Sequence, residues 1–131
     1  MNRFVKFAAA TFAALAMAAP ATAQDNAVVG VWQPDENSDY TVSMCGPAGD
    51  RFCLTVTELR GRMRKPENLK YLGKTLINEA KQSGDNRWKG KIDFFGVSGD
   101  TTITLRNANT LHLKACAYVV VCKEITLTRK S

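Results

Sequence analysis

Chemistry in this chain would have to come from one histidine, four cysteines and a small group of acids. His112 stands between Leu111 and Leu113, on the polar side of an alternating run, with no nucleophile motif beside it. A Ser-His-Asp type of site needs both a nucleophile and an orienting acid against the imidazole, and neither is adjacent in the sequence. Cys45, Cys53, Cys116 and Cys122 contain no C-x-x-C pair, so neither a thiol oxidoreductase nor a zinc site is indicated. Asp35, Glu36 and Asp39 could meet a cation, but they lack the regular ligand spacing of a calcium loop and read as an exposed turn. The expectation is a protein that is not an enzyme and that needs no cofactor or metal.

Everything around these residues describes an exported domain. Arg3 and Lys6 form a short positive region, Phe7 to Ala19 is apolar and alanine-rich, and Ala21-Thr22-Ala23 has the small-x-small cleavage pattern. Residues 1–23 therefore read as a secretory signal peptide, and residues 24–131 as one small domain. No cysteine at the junction invites a lipid anchor, and no second apolar run suggests a transmembrane span. Removing Arg3 and Lys6 from the 18 basic side chains leaves 16 against 12 acidic ones, a net charge of about +4. So modest an excess does not point to nucleic acid. An even cysteine count in a small exported domain reads as two disulfides, which places the protein in an oxidising compartment, the periplasm.

Strand-type alternation runs from Val28 to the C-terminus. Tyr40, Val42 and Met44 share one face; so do Phe52, Leu54 and Val56, and Trp88, Gly90, Ile92 and Phe94. Ile103 with Leu105, Leu111 with Leu113 and Ala115, and Ile125 with Leu127 and Arg129 continue the pattern. Gly46-Pro47, Ser83-Gly84-Asp85-Asn86, Ser98-Gly99-Asp100 and Asn107-Ala108-Asn109 supply turn residues between the runs. Only residues 61–81 are ambiguous, either a loop followed by a strand or a helix on Leu69, Leu72, Leu76 and Ile77. About eight half-buried strands with short connections predict an all-β fold, a small antiparallel up-and-down barrel.

Strand parity puts all four cysteines on polar faces. Local pairs, Cys45 with Cys53 and Cys116 with Cys122, fit if the chain reverses within each intervening loop. If residues 111–122 formed one straight strand, Cys116 and Cys122 would stand about 20 Å apart, and cross pairs to Cys45 and Cys53 would be required.

Four further features bear on barrel closure and binding. Gly30-x-Trp32 on the first strand and Arg129 on the last suit barrel closure, with the guanidinium stacked on the indole. The inward residues Phe52, Leu54, Trp88, Ile92, Phe94, Ile103 and Leu105 either line an apolar ligand cavity or fill a small barrel. Tyr118, Val119, Val120 and Val121, between two cysteines, form either a stiff docking loop for another protein of the envelope or for a membrane surface, or a tip that folds over the barrel mouth as a lid or joins the core. The basic stretch Arg60-Gly61-Arg62-Met63-Arg64-Lys65 reads either as a contact for anionic lipid or polysaccharide or as a solvated loop.

The order of Gly30-x-Trp32, Cys45-Gly46, Cys53, Asn68, Leu72-Gly73-x-x-Leu76, Trp88-x-Gly90-Lys91-Ile92, Cys116 to Cys122 and Thr128-Arg129 resembles domain of unknown function family 2147. These are bacterial exported proteins similar in outline to the calycins, the lipocalin-like barrels. The chain departs from the family at Leu127, where a Trp is usual, and at Asp93-Phe94-Phe95-Gly96, where a Tyr-x-Pro turn is usual. The resemblance implies a lipocalin-like barrel and names no ligand. Two functions remain open: a periplasmic binding protein for a small apolar or amphipathic ligand, or a protein-binding module such as a hydrolase inhibitor or accessory subunit. The sequence does not fix the oligomeric state.

Overall fold

A computed structural model describes residues 27–117 and 121–131. The expected signal peptide and the loop residues Tyr118, Val119 and Val120 lie outside the described residues. Eight strands follow in order: β1 (Gly30–Gln33), β2 (Ser38–Cys45), β3 (Arg51–Leu59), β4 (Thr75–Gly84), β5 (Arg87–Phe94), β6 (Val97–Asn107), β7 (Thr110–Ala117) and β8 (Val121–Arg129). Each pairs antiparallel with its neighbour in sequence, and β8 returns to β1, which closes the barrel. The seam is short. Trp32 stands opposite Arg129 and Gln33 opposite Thr128, and beyond them Lys130 N–H donates to the Val31 carbonyl at 2.7 Å.

Alternation decides what lies inside. Trp32, Val42, Phe52, Leu54, Val56, Ile77, Trp88, Ile103, Leu111 and Leu127 are buried, and they occupy the apolar parity positions of their strands. Outward positions on the same strands carry Thr41, Thr55, Lys89, Lys91, Thr102, Lys114 and Thr128. A barrel that spans a membrane needs an apolar band on its outer wall. The described outer wall is a threonine and lysine surface, and no described helix is long and apolar enough to cross a membrane.

The ambiguous stretch resolves into a loop and a strand. Residues 60–74 contain a 3-10 turn at Gly61–Met63 and a one-turn helix, α1 (Pro66–Leu69), before β4 begins at Thr75. Met63, Leu69 and Tyr71 lean onto the core, whereas Leu72 faces solvent. Leu76 and Ile77 are consecutive and both buried because β4 is irregular: it gains one residue against β3 between Thr55↔Thr75 and Leu54↔Ile77, and a second between Leu54↔Ile77 and Phe52↔Ala80. Glu79 takes a left-handed φ of 58° within that bulge.

One turn is displaced from its predicted place. The β5–β6 reversal is made by Phe95 and Gly96, with φ of 49° and 93°, the two positive values a primed two-residue hairpin needs. Ser98-Gly99-Asp100 instead continues β6. Gly99 is there for space, since a Cβ on it would overlap the Cys116 carbonyl of the neighbouring strand.

Both disulfides are local. Cys45–Cys53 ties the β2–β3 hairpin across a Cα–Cα distance of 6.0 Å, and Cys116–Cys122 links directly opposed residues of β7 and β8 at 4.0 Å. The chain does reverse between Cys116 and Cys122, which removes the need for cross pairs.

Candidate functional site

In an up-and-down barrel, alternate connections lie at opposite ends. One mouth gathers the β2–β3, β4–β5 and β6–β7 turns with the beginning of β1 and the end of β8. The other gathers the β1–β2, β5–β6 and β7–β8 connections with the long 60–74 segment. The two mouths differ in kind.

The first is sealed by Trp32 and Arg129. The indole is fully buried and donates from Nε1 to the Val28 carbonyl at 2.9 Å. The Arg129 guanidinium carbon lies 4.3 Å from the indole ring centre. Its Nε donates to the Ala108 carbonyl at 2.7 Å, Nη1 to Val29 at 3.0 Å, and Nη2 to Ala27. One side chain thus binds the entering chain, the β6–β7 turn and the closing strand. Gly30 makes this approach feasible: a Cβ there would sit 2.6 Å from both Arg129 Nη1 and the Ser131 carbonyl oxygen.

The second mouth opens onto a cavity of about 340 Å³ between the β5–β6 and β7–β8 hairpins. Its walls are apolar, formed chiefly by Ile92, Phe94, Val97, Ala115, Val121 and Ile125, with the Cys116–Cys122 disulfide and Lys123 at the rim. Of the seven residues expected to line a cavity, Ile92 and Phe94 do so. Phe52, Leu54, Trp88, Ile103 and Leu105 instead pack the closed interior at 0–7 % exposure. The Phe52 and Trp88 rings meet at 5.5 Å and fill the barrel's waist, as side chains do in an eight-stranded barrel. The space survives only above them, where inward positions carry the small residues Gly99 and Ala115. Those small inward residues were the overlooked sequence signal.

Two buried polar atoms, Thr101 Oγ1 and Trp88 Nε1, have no hydrogen-bond partner among the described residues. Thr101 is directly opposite Ala115 on β7 and Gly90 on β5, so it sits next to the cavity floor. Tyr40, whose ring meets Phe94 edge-on at 6.4 Å, is also buried, and that burial pushes its phenol well above the usual range.

The residues first considered for chemistry have other occupations. His112 Nε2 lies 2.8 Å from Glu124 Oε1 on the outer wall, away from the cavity. Its imidazole is only 12 % exposed, less open to solvent than its polar-face position suggested. Of the three acids, Glu36 is exposed as an open turn requires, but Asp39 is not. Asp39 is buried in β2: its Oδ1 accepts from Arg60 at 2.6 Å and Gln33 at 2.7 Å, and its Oδ2 accepts from Lys130 at 2.8 Å. The Arg60 hydrogen bond is the main force holding this carboxyl well below the usual carboxylate range, against burial and with help from Lys130 and Gln33. Asp35 accepts from the Asn37 N–H and from Arg62, each at 2.8 Å. The acids therefore stitch the β1–β2–β8 seam to the 60–74 segment. Of the suggested partner loop only Val121 is described; it is 61 % exposed.

No family model, no curated protein and no solved structure matches this chain.

Proposed function

We propose that this is an exported, non-enzymatic binding protein that takes a small apolar or amphipathic molecule into the open mouth of the barrel. The observation that carries the reading is the inequality of the ends: one is sealed by Trp32 and Arg129, the other leads into an apolar cavity of about 340 Å³. Ligand sites are concave, mostly apolar and few per protein, and this volume is within their range. The unpartnered Thr101 hydroxyl beside the floor favours a ligand with a hydrogen-bonding group over a pure hydrocarbon. Two disulfides support export to an oxidising compartment, and the resemblance to family 2147 points the same way. The non-enzymatic reading rests on His112, which meets Glu124 on the outer wall, away from the cavity.

Native mass spectrometry of the protein purified from its exported form tests the reading. A retained lipid-sized or smaller adduct is expected, and Ala115→Trp, which fills the cavity, should abolish it. A bare mass for wild type under gentle ionisation, with no small molecule recovered by solvent extraction, would count decisively against it.

A further inference from the structure

The mouth that opens onto the cavity also has an unusual surface. The connection spanning residues 60–74 contains six basic side chains, Arg60, Arg62, Arg64, Lys65, Lys70 and Lys74, and one acid, Glu67. Arg60 and Arg62 are engaged by Asp39 and Asp35, but among the described residues Lys65, Lys70 and Lys74 have no acidic partner within salt-bridge distance. Tyr71 fixes this segment over the mouth, its ring 4.8 Å from that of Phe95 in the β5–β6 turn. Lys70 lies over the Tyr71 ring at 5.4 Å, and Lys70 and Lys74 border one shallow depression with Asp93.

Large apolar side chains are exposed at the same mouth. Among the described residues four stand out to solvent: Val29 at the sealed end, and Leu72, Val97 and Val121 at the open one, at 38 %, 58 % and 61 % exposure. Val97 and Val121 are cavity rim, and Leu72 belongs to the basic connection. Scattered apolar tips among long cationic side chains suit the boundary between headgroups and acyl chains. There the tips leave water while lysine stems extend their ammonium groups to anionic headgroups.

We propose that this mouth docks on an anionic phospholipid bilayer. The surface is complementary in charge and in apolar tips, and its orientation would turn the cavity opening toward the lipid. The inference stands on the surface alone and does not require the cavity to be occupied.

Sedimentation of the purified protein with vesicles tests it, using phosphatidylcholine alone and an equal mixture with phosphatidylglycerol. Binding to the mixture is expected, falling with added salt, with little binding to phosphatidylcholine. Each lysine near such a surface contributes about fivefold in affinity, so Lys70→Glu with Lys74→Glu should weaken binding by about 25-fold or more. Lys70→Gln with Lys74→Gln should give a smaller loss in the same direction, which separates charge from misfolding. Val97→Asp should also weaken binding, whereas Lys81→Glu with Lys89→Glu, on the outer wall, should leave it unchanged.

No binding to the mixed vesicles by folded wild type would overturn the proposal. So would equal losses from the wall and mouth variants. Binding to soluble polyglutamate as tight as to vesicles, and indifferent to Val97→Asp, would overturn it in favour of an acidic protein partner. An apolar-probe titration without vesicles reports on the cavity separately, so failure of docking and failure of ligand binding are distinguishable.

Discussion

Trp32 and Arg129 stand on the first and last strands of the barrel, yet they are direct cross-strand neighbours at the seam. Stacking of a guanidinium on an indole contributes roughly 0.5–2 kcal/mol, and the three carbonyls that Arg129 also binds tie the entering segment and the β6–β7 turn to β8. Arg129→Ala should therefore lower stability by about 2–4 kcal/mol in urea denaturation, more than a surface arginine would. A loss below about 0.5 kcal/mol would show that the stack is incidental. Asp39 is the second residue on which the seam depends. Its carboxyl is held below its unfolded value, so it stabilises the fold above the ordinary carboxylate range and that contribution is lost as pH falls. Acid titration of thermal stability should show a decline beginning near about pH 4 and steepening below it. Asp39→Asn should lower stability at neutral pH and flatten that decline; an unchanged acid slope would contradict the assignment.

At the scale of elements, the Cys116–Cys122 disulfide holds the two strands that frame the cavity. Closing so short a loop is worth about 2–3 kcal/mol in the chain-entropy treatment. Replacing both cysteines with serine should lower the denaturation free energy by that amount and loosen the open mouth. Hydrogen exchange at β7 and β8 should rise more than at β2 and β3, and uniform exchange would contradict this local role.

The strands were legible in the sequence because burial of one face imposes a period of two, which Leu111-Leu113 displays and which Phe52-Leu54-Val56 displays apart from the disulfide-bonded Cys53, itself buried. The β5–β6 turn was not, because Phe95 is an unusual residue for a left-handed turn position, and Gly99 served close packing rather than reversal. Asp39 was misread for a related reason. Its burial comes from Arg60 and Lys130, which are distant in sequence and meet it only once the barrel closes. The cavity was half legible. Inward parity identified Ile92 and Phe94, but whether inward side chains fill the space depends on ring packing between strands. Parity does not report that.

Taken whole, the molecule is a barrel with two unlike ends. The end where β1 begins and β8 finishes is packed with an indole, a guanidinium and the backbone carbonyls of the segment entering β1. The opposite end has an apolar recess between two hairpins and a basic segment bound over its edge by Tyr71 and Phe95. The polar outer wall and the two disulfides make a rigid frame, so selectivity should reside in the recess and docking in its surroundings. The most direct test of the central claim is titration with an environment-sensitive apolar fluorophore. Wild type should give saturable enhancement, Ala115→Trp should abolish it, and both should unfold at similar denaturant concentrations. No saturable enhancement with folded wild type, or an Ala115→Trp protein that binds equally well, would contradict the assignment of the open mouth as the ligand site.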